Sequence, residues 1–234
     1  MQERFPESAG EFEYPKRTRI IIRRRDPLAK HSKLTTPAEA VRTRRAYFDC
    51  RFGQLHVRTA FPTTGGFDEQ VTLFCLHANQ SSSRAFTRLL PEIADVRSVY
   101  APDLPGLGES DPSPTSSFAE AAGAISDLAD DLRLRQIDLL GIHGGARAAL
   151  DLAAARPALV RRLVLAGVAA GGIPAIQQPT LIMRTRLETA DDIAKLKAAL
   201  PNGKFVDIDD YRNDLFAAAP KALAKQISTF LSET

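Results

Sequence analysis

The sequence predicts an α/β protein built on a doubly wound, mostly parallel sheet. Three observations carry that prediction. From Ala46 onward short apolar runs alternate with helix-period segments, the pattern of strand–helix–strand units. The strongest run, Val71 to His77 (V-T-L-F-C-L-H), is nearly continuous rather than alternating, as expected for a strand buried on both faces. At Ile137 to Ala149 the chain reads I-D-L-L-G-I-H-G-G-A-R-A-A. There a mostly apolar run passes through a glycine-flanked turn directly into an Ala-rich helical pattern.

Taken in order, Ala46 to Phe52 and Gln54 to Ala60 read as two strands of a hairpin around Gly53. Val71 to His77 is the first buried strand. Ser83 to Val96 reads as a helix interrupted near Pro91, with the serines at 81–83 opening it. Ser98 to Ala101 is a short strand, Asp103 to Asp111 a Gly/Pro loop, and Phe118 to Leu134 an amphipathic helix. Then follow strand Ile137 to Ile142, helix Gly144 to Ala155, strand Val160 to Leu165 and a Gly/Ala/Gln connection from Gly167 to Gln178. Strand Thr180 to Arg184, helix Ala190 to Leu200, strand Lys204 to Ile208 and helix Leu215 to Leu231 close the chain. Right-handed crossovers put helices on both faces. The functional crevice of such a sheet lies outside the carboxyl ends of its strands, and His77, Asp103, His143 and Arg184 fall at or just beyond such ends.

The 234 residues suffice for one sizeable domain, and 44% hydrophobic with 25% charged residues is ordinary globular composition. The formal net charge of +3 is unevenly placed. Residues 1–45 carry twelve Lys/Arg and six Asp/Glu, so the other 189 residues hold a net −3. The reading is therefore a basic N-terminal arm, residues 1–45, and a domain, residues 46–234. Within the arm, Ile20-Ile21-Ile22 bracketed by arginines has the character of a short edge strand. The arm's charge makes it a candidate surface for an acidic protein partner or for self-association. It lacks the interleaved aromatics that would signal nucleic acid.

Cys50 and Cys75 are too few for a disulfide scaffold and read as small buried hydrophobes. Residues 1–10 have no apolar signal-peptide core, and Leu163 to Ile176 is too short and broken to cross a membrane. The expectation is a cytoplasmic protein. No cofactor is implied. His77 and His143 lack a third ligand at metal-binding spacing.

Three motifs resemble the α/β-hydrolase family over about Tyr47 to Ser232. His77-Ala78-Asn79-Gln80 follows an apolar strand where the family has an H-G-x-P oxyanion loop. Asp103-Leu104-Pro105-Gly106-Leu107-Gly108-Glu109-Ser110-Asp111 is close to its D-x-P-G-x-G-x-S-D loop. Gly141-Ile142-His143-Gly144-Gly145 matches the nucleophile elbow, G-x-S-x-G, with histidine for serine. The chain is similar to the subset of the family that carries G-x-H-x-G. The fold implied is α/β-hydrolase-like with the cap nearly absent, because only Gly167 to Gln178 stands where the cap is inserted.

The resemblance also implies a catalytic triad, and the chain departs from it. His143 holds the nucleophile position. Glu188 lies where the acid is expected, with Asp191 and Asp192 as alternatives. The family's general base falls on Asn213, within the turn Asp209 to Asp214, and asparagine is no base at neutral pH. The four histidines are His31, His56, His77 and His143, none beyond the last two strands. The leading reading is a degenerate triad that is catalytically silent or very weak, in a binding or interaction protein. The alternative is a residual esterase- or lactonase-like hydrolase acting on a small ester or lactone. It would use His143 as base or nucleophile, with backbone N–H groups of Asn79 and Gly144 as oxyanion donors. His77 is expected to hold its loop by hydrogen bonds, and Asp103 to stabilise its own.

Overall fold

A computed structural model describes residues 19–20, 41, 43–63, 70–184, 189–208 and 215–233. Among the described residues nine strands form one sheet: β1 Arg19–Ile20, β2 Arg44–Cys50, β3 Gly53–Ala60, β4 Thr72–Leu76, β5 Val99–Pro102, β6 Ile137–Ile142, β7 Val160–Ala166, β8 Thr180–Arg184 and β9 Gly203–Ile208. Their order across the sheet is β1-β9-β8-β7-β6-β4-β5-β3-β2. Only the β2/β3 and β3/β5 pairs are antiparallel. All other pairs are parallel.

Every residue of β4 and β6 is buried, which is why those runs are continuous rather than alternating. One face packs under α2 (Phe118–Asp131) and α3 (Gly144–Ala155), the other under α1 (Leu90–Ile93) and α6 (Pro220–Leu231). Helix α2 opens on a capping box in which Ser117 Oγ accepts from the Glu120 N–H and Glu120 accepts from the Ser117 N–H. Its buried side chains, among them Ala121, Ala122, Ile125, Leu128 and Ala129, recur at helical spacing. Helix α4 (Ala190–Ala199) and a short α5 (Leu215–Ala218) are the other helices among the described residues.

Two helices differ from the sequence expectation. The interruption expected near Pro91 is present, but the first part of Ser83 to Val96 is not α-helix and the second ends at Ile93. A 3₁₀ turn, Ser83–Phe86, ends where Thr87 Oγ1 bonds the Arg84 carbonyl, and α1 begins afresh with Pro91 inside its first turn, where a missing N–H costs nothing. The closing helix is also split. Pro220 forces Ala219 out of helical conformation, to φ −143° and ψ 57°, so α5 ends before α6 starts.

The strand expected among the arm's isoleucines appears as β1, whose backbone pairs Arg19 with Asp207 and Ile20 with Ile208. The rest of the expected basic run, Lys16 to Arg25, lies outside the described residues. β1 and β2 therefore stand at opposite edges of the sheet. At the amino end of β6 the fully buried Asp138 accepts from Arg97 Nη1 at 3.0 Å and Arg161 Nη2 at 2.6 Å. Arg161 and Arg162 also donate to the Leu231 and Phe230 carbonyls at the end of α6, tying the last helix to β7.

Candidate functional site

The carboxyl end of the sheet gathers the residues singled out by the sequence. His143 caps the start of α3 with φ 48° and ψ −111°, a conformation a side chain adopts only when its surroundings impose it. Those surroundings are glycine contacts. A Cβ on Gly145 would overlap the Leu76 carbonyl oxygen at the end of β4, so the turn between β6 and α3 can press against β4 only with glycine there. The His143 N–H donates to the Ala166 carbonyl at 2.9 Å. Its side chain is exposed and its ring lies against Gly167, where a Cβ would overlap Nδ1 and Cε1.

His77 is fully buried. Its Nε2 accepts the Leu104 N–H at 2.9 Å, so the ring proton sits on Nδ1 and is donated to the Ala78 carbonyl at 2.8 Å. Burial holds its pKa below the ordinary histidine value of 6.5. The imidazole is thus a neutral strut between two loops.

Asp103 is a second strut. One carboxylate oxygen accepts from the Ser83 N–H, the other from the Glu109 N–H and His56 Nδ1 at 2.9 Å each. Burial alone would raise its pKa, but these donors hold it below the ordinary aspartate value. His56 is 1% exposed and stacked at a tilt on Tyr47, whose hydroxyl donates to Glu109. His56 is one of the four histidines that precede the last two strands; its partnership with Asp103, 47 positions away, left no local signal.

Asn79 is exposed and Gly144 buried, and the two meet: a Cβ on Gly144 would overlap Asn79 Oδ1. His143, Asn79 and Gly144 therefore share one corner. Arg184 ion-pairs with Asp207 on the neighbouring β9. Glu188 and Asn213, the expected acid and base positions, lie outside the described residues. Of the alternative acids, Asp192 closes a capping box with Thr189, and Asp191 pairs with Lys195 on the exposed face of α4. Arg147, one turn beyond His143, pairs with Asp151 at i+4 on α3.

A cavity of about 290 Å³ between α2, α3 and Arg51 touches none of these residues. Among the described residues no helix is long and apolar enough to cross a membrane, and no three His, Cys, Asp or Glu side chains gather as a metal site.

Strand order, the strained turn before α3 and the two loops beside it define an α/β-hydrolase-type scaffold. The profile of the alpha/beta hydrolase family matches residues 73–232, and the chain belongs to that family. It is 29% identical over 118 residues to the uncharacterized hydrolase YugF of Bacillus subtilis (strain 168), covering 50% of this chain and 42% of that one. It is 30% identical over 178 residues to 2-hydroxy-6-oxononadienedioate/2-hydroxy-6-oxononatrienedioate hydrolase 2 of Pseudomonas putida, covering 71% of this chain and 60% of that one. These matches span less than two thirds of either relative's length. The structure of naproxen esterase (carboxylesterase NP) from Bacillus subtilis shares the fold, with TM-score 0.70, 15% identity, and coverage of 82% of this chain and 92% of that one.

Proposed function

We propose that the protein is a weak hydrolase of small esters or lactones in which His143 is the general base at the position of the family nucleophile. The observation that carries this reading is the backbone of His143: an exposed imidazole is held at φ 48°, a strain of about 1–3 kcal/mol that persists only where the surroundings enforce it. In the reaction His143 takes a proton from water as the water oxygen bonds the acyl carbon. Backbone N–H groups of Gly144 and Asn79 hold the oxyanion, the acyl–oxygen bond breaks, and the leaving alkoxide takes the proton. Glu188 is the sequence's candidate to orient the imidazole. With the base position filled by Asn213, no triad operates; general-base assistance contributes on the order of 10²–10⁴-fold, so turnover is slow. Relatives named as hydrolases support the reaction class. An ester and lactone panel on wild type and His143→Ala tests it. Hydrolysis above buffer that disappears in His143→Ala is expected; equal rates would sink it.

A second reading is a silent binding protein engaging an acidic partner or a second copy through residues 1–45. Its support is that His56 and His77 are both committed to structural bonds, so neither serves as the missing base. Neutralising the arm's charges outside β1 and β2, at Arg23, Arg24, Arg25, Lys30 and Lys33, would then abolish binding while the sheet keeps its strands.

A further inference from the structure

We infer that Arg147 recognises a carboxylate in the His143 crevice, so that the preferred esters carry a second, free carboxylate on a short chain. This rests on the hydrolase reading above and names its substrate class. Arg147 sits in the first turn of α3, and its N–H donates to the His143 carbonyl at 3.1 Å. The two backbones are thus one helical turn apart, a rise of about 6 Å, with His143 at the N-cap from which α3 starts.

The segment after β7 runs past both. Gly167 lies against the His143 ring, and a Cβ on Gly172 would stand 3.4 Å from Arg147 Nη1. Between them Val168 is turned into the core, and a Cβ on Gly171 would meet nothing within 4 Å. The path from imidazole to guanidinium is thus lined by small residues and open on one side. In this position the family's cap would stand; here only residues 167–178 remain.

Arg147 is also partly uncommitted. Its Nε donates to Asp151 Oδ1 at 2.9 Å, and among the described residues Nη1 and Nη2 have no hydrogen-bond partner. Its side chain is 38% exposed. Asp151 therefore fixes the guanidinium by one edge and leaves the two-nitrogen edge free. That edge presents two parallel N–H donors, the geometry that takes a carboxylate bidentately. A half-ester of a short dicarboxylic acid would set its acyl carbon at His143 and its free carboxylate on Arg147.

The experiment compares 4-nitrophenyl acetate with 4-nitrophenyl hydrogen succinate and hydrogen glutarate on wild type, Arg147→Gln and Arg147→Lys. Binding of unreactive glutarate is followed in parallel by calorimetry. The kcat/KM ratio of half-ester to acetate is expected to fall at least tenfold in Arg147→Gln, mainly through KM, and to be partly restored in Arg147→Lys. Arg147→Gln removes one half-buried i,i+4 pair and leaves both hydrophobic cores untouched, so the variant folds, as a thermal melt checks. Glutarate binding that needs Arg147, with no ester turned over by wild type, would uphold the carboxylate site and reject the hydrolase reading. Turnover without half-ester preference, or a preference surviving in Arg147→Gln, would overturn the inference. So would the absence of both turnover and Arg147-dependent glutarate binding.

Discussion

His143 and Gly167 fit together only because residue 167 has no side chain. The imidazole fills the space a Cβ would take, and Gly167 itself stands at φ 64°. Gly167→Ala therefore meets two penalties, a left-handed backbone costing about 1–2 kcal/mol and a displaced histidine ring. Gly171→Ala is the control, since its Cβ would enter open space. Thermal melts should place Gly167→Ala several degrees below wild type, at about 2–4 °C per kcal/mol for a chain of this size, and Gly171→Ala within about 0.5 kcal/mol of it. Equal melting temperatures would contradict the contact.

Stability should fall on acidification in two windows. His77 is kept neutral by burial, with its pKa below the ordinary 6.5. The unfolded chain therefore binds a proton that the folded chain refuses, and stability present above 6.5 is lost as pH drops below it. Asp103 has its pKa held below the ordinary 3.8, so its contribution is present above that value and is lost as pH falls further. Urea midpoints measured between pH 5 and 8 should rise with pH in wild type. The rise should be smaller in His77→Gln, whose amide oxygen can still accept from Leu104.

The buried cluster at the amino end of β6 should be the most sensitive charged site. Asp138 and Arg97 are both 0% exposed. Asp138→Ala removes the buried carboxylate on which Arg97 and Arg161 converge, which costs about 3–5 kcal/mol. Asp130→Ala breaks an exposed pair with Arg156 and should cost less than about 1 kcal/mol. Urea unfolding of the two variants would separate these values clearly.

The two thiols should react unequally. Burial pushes the Cys75 thiol far above its ordinary range, and Cys50, half-buried beside the hairpin, is raised less. A thiol-specific reagent should modify Cys50 slowly and Cys75 only after unfolding. Equal labelling of both in the native state would contradict the packing of β4.

Much of the scaffold was legible because its signals are local. Helix Gly144–Ala155 and strand Thr180–Arg184 have the bounds the sequence pattern implies, since glycine punctuation and apolar runs act within a few residues. The interruption near Pro91 was legible, but the 3₁₀ form of the turn before it and the break at Ala219 were not. Each follows from competition between a helix-compatible pattern and one local interruption, a threonine hydroxyl on a backbone carbonyl or a proline's steric demand. At the site, topology placed His77, Asp103 and His143 at strand ends. Their partners stayed hidden because Leu104 lies 27 positions from His77 and His56 lies 47 from Asp103. No window of sequence pattern spans such pairs.

The Asp103 carboxylate joins three segments, through Ser83, His56 and Glu109, whereas the β4–β6–β7 ladders are held by their own backbone bonds and both cores. Losing that one carboxylate's charge therefore releases the loops around the crevice without opening the central sheet. The molecule should unfold in tiers. Amide hydrogens at Ser83 and Glu109 should exchange in a sub-global step as Asp103 is protonated, while those of β4 and β6 exchange only when the whole chain opens.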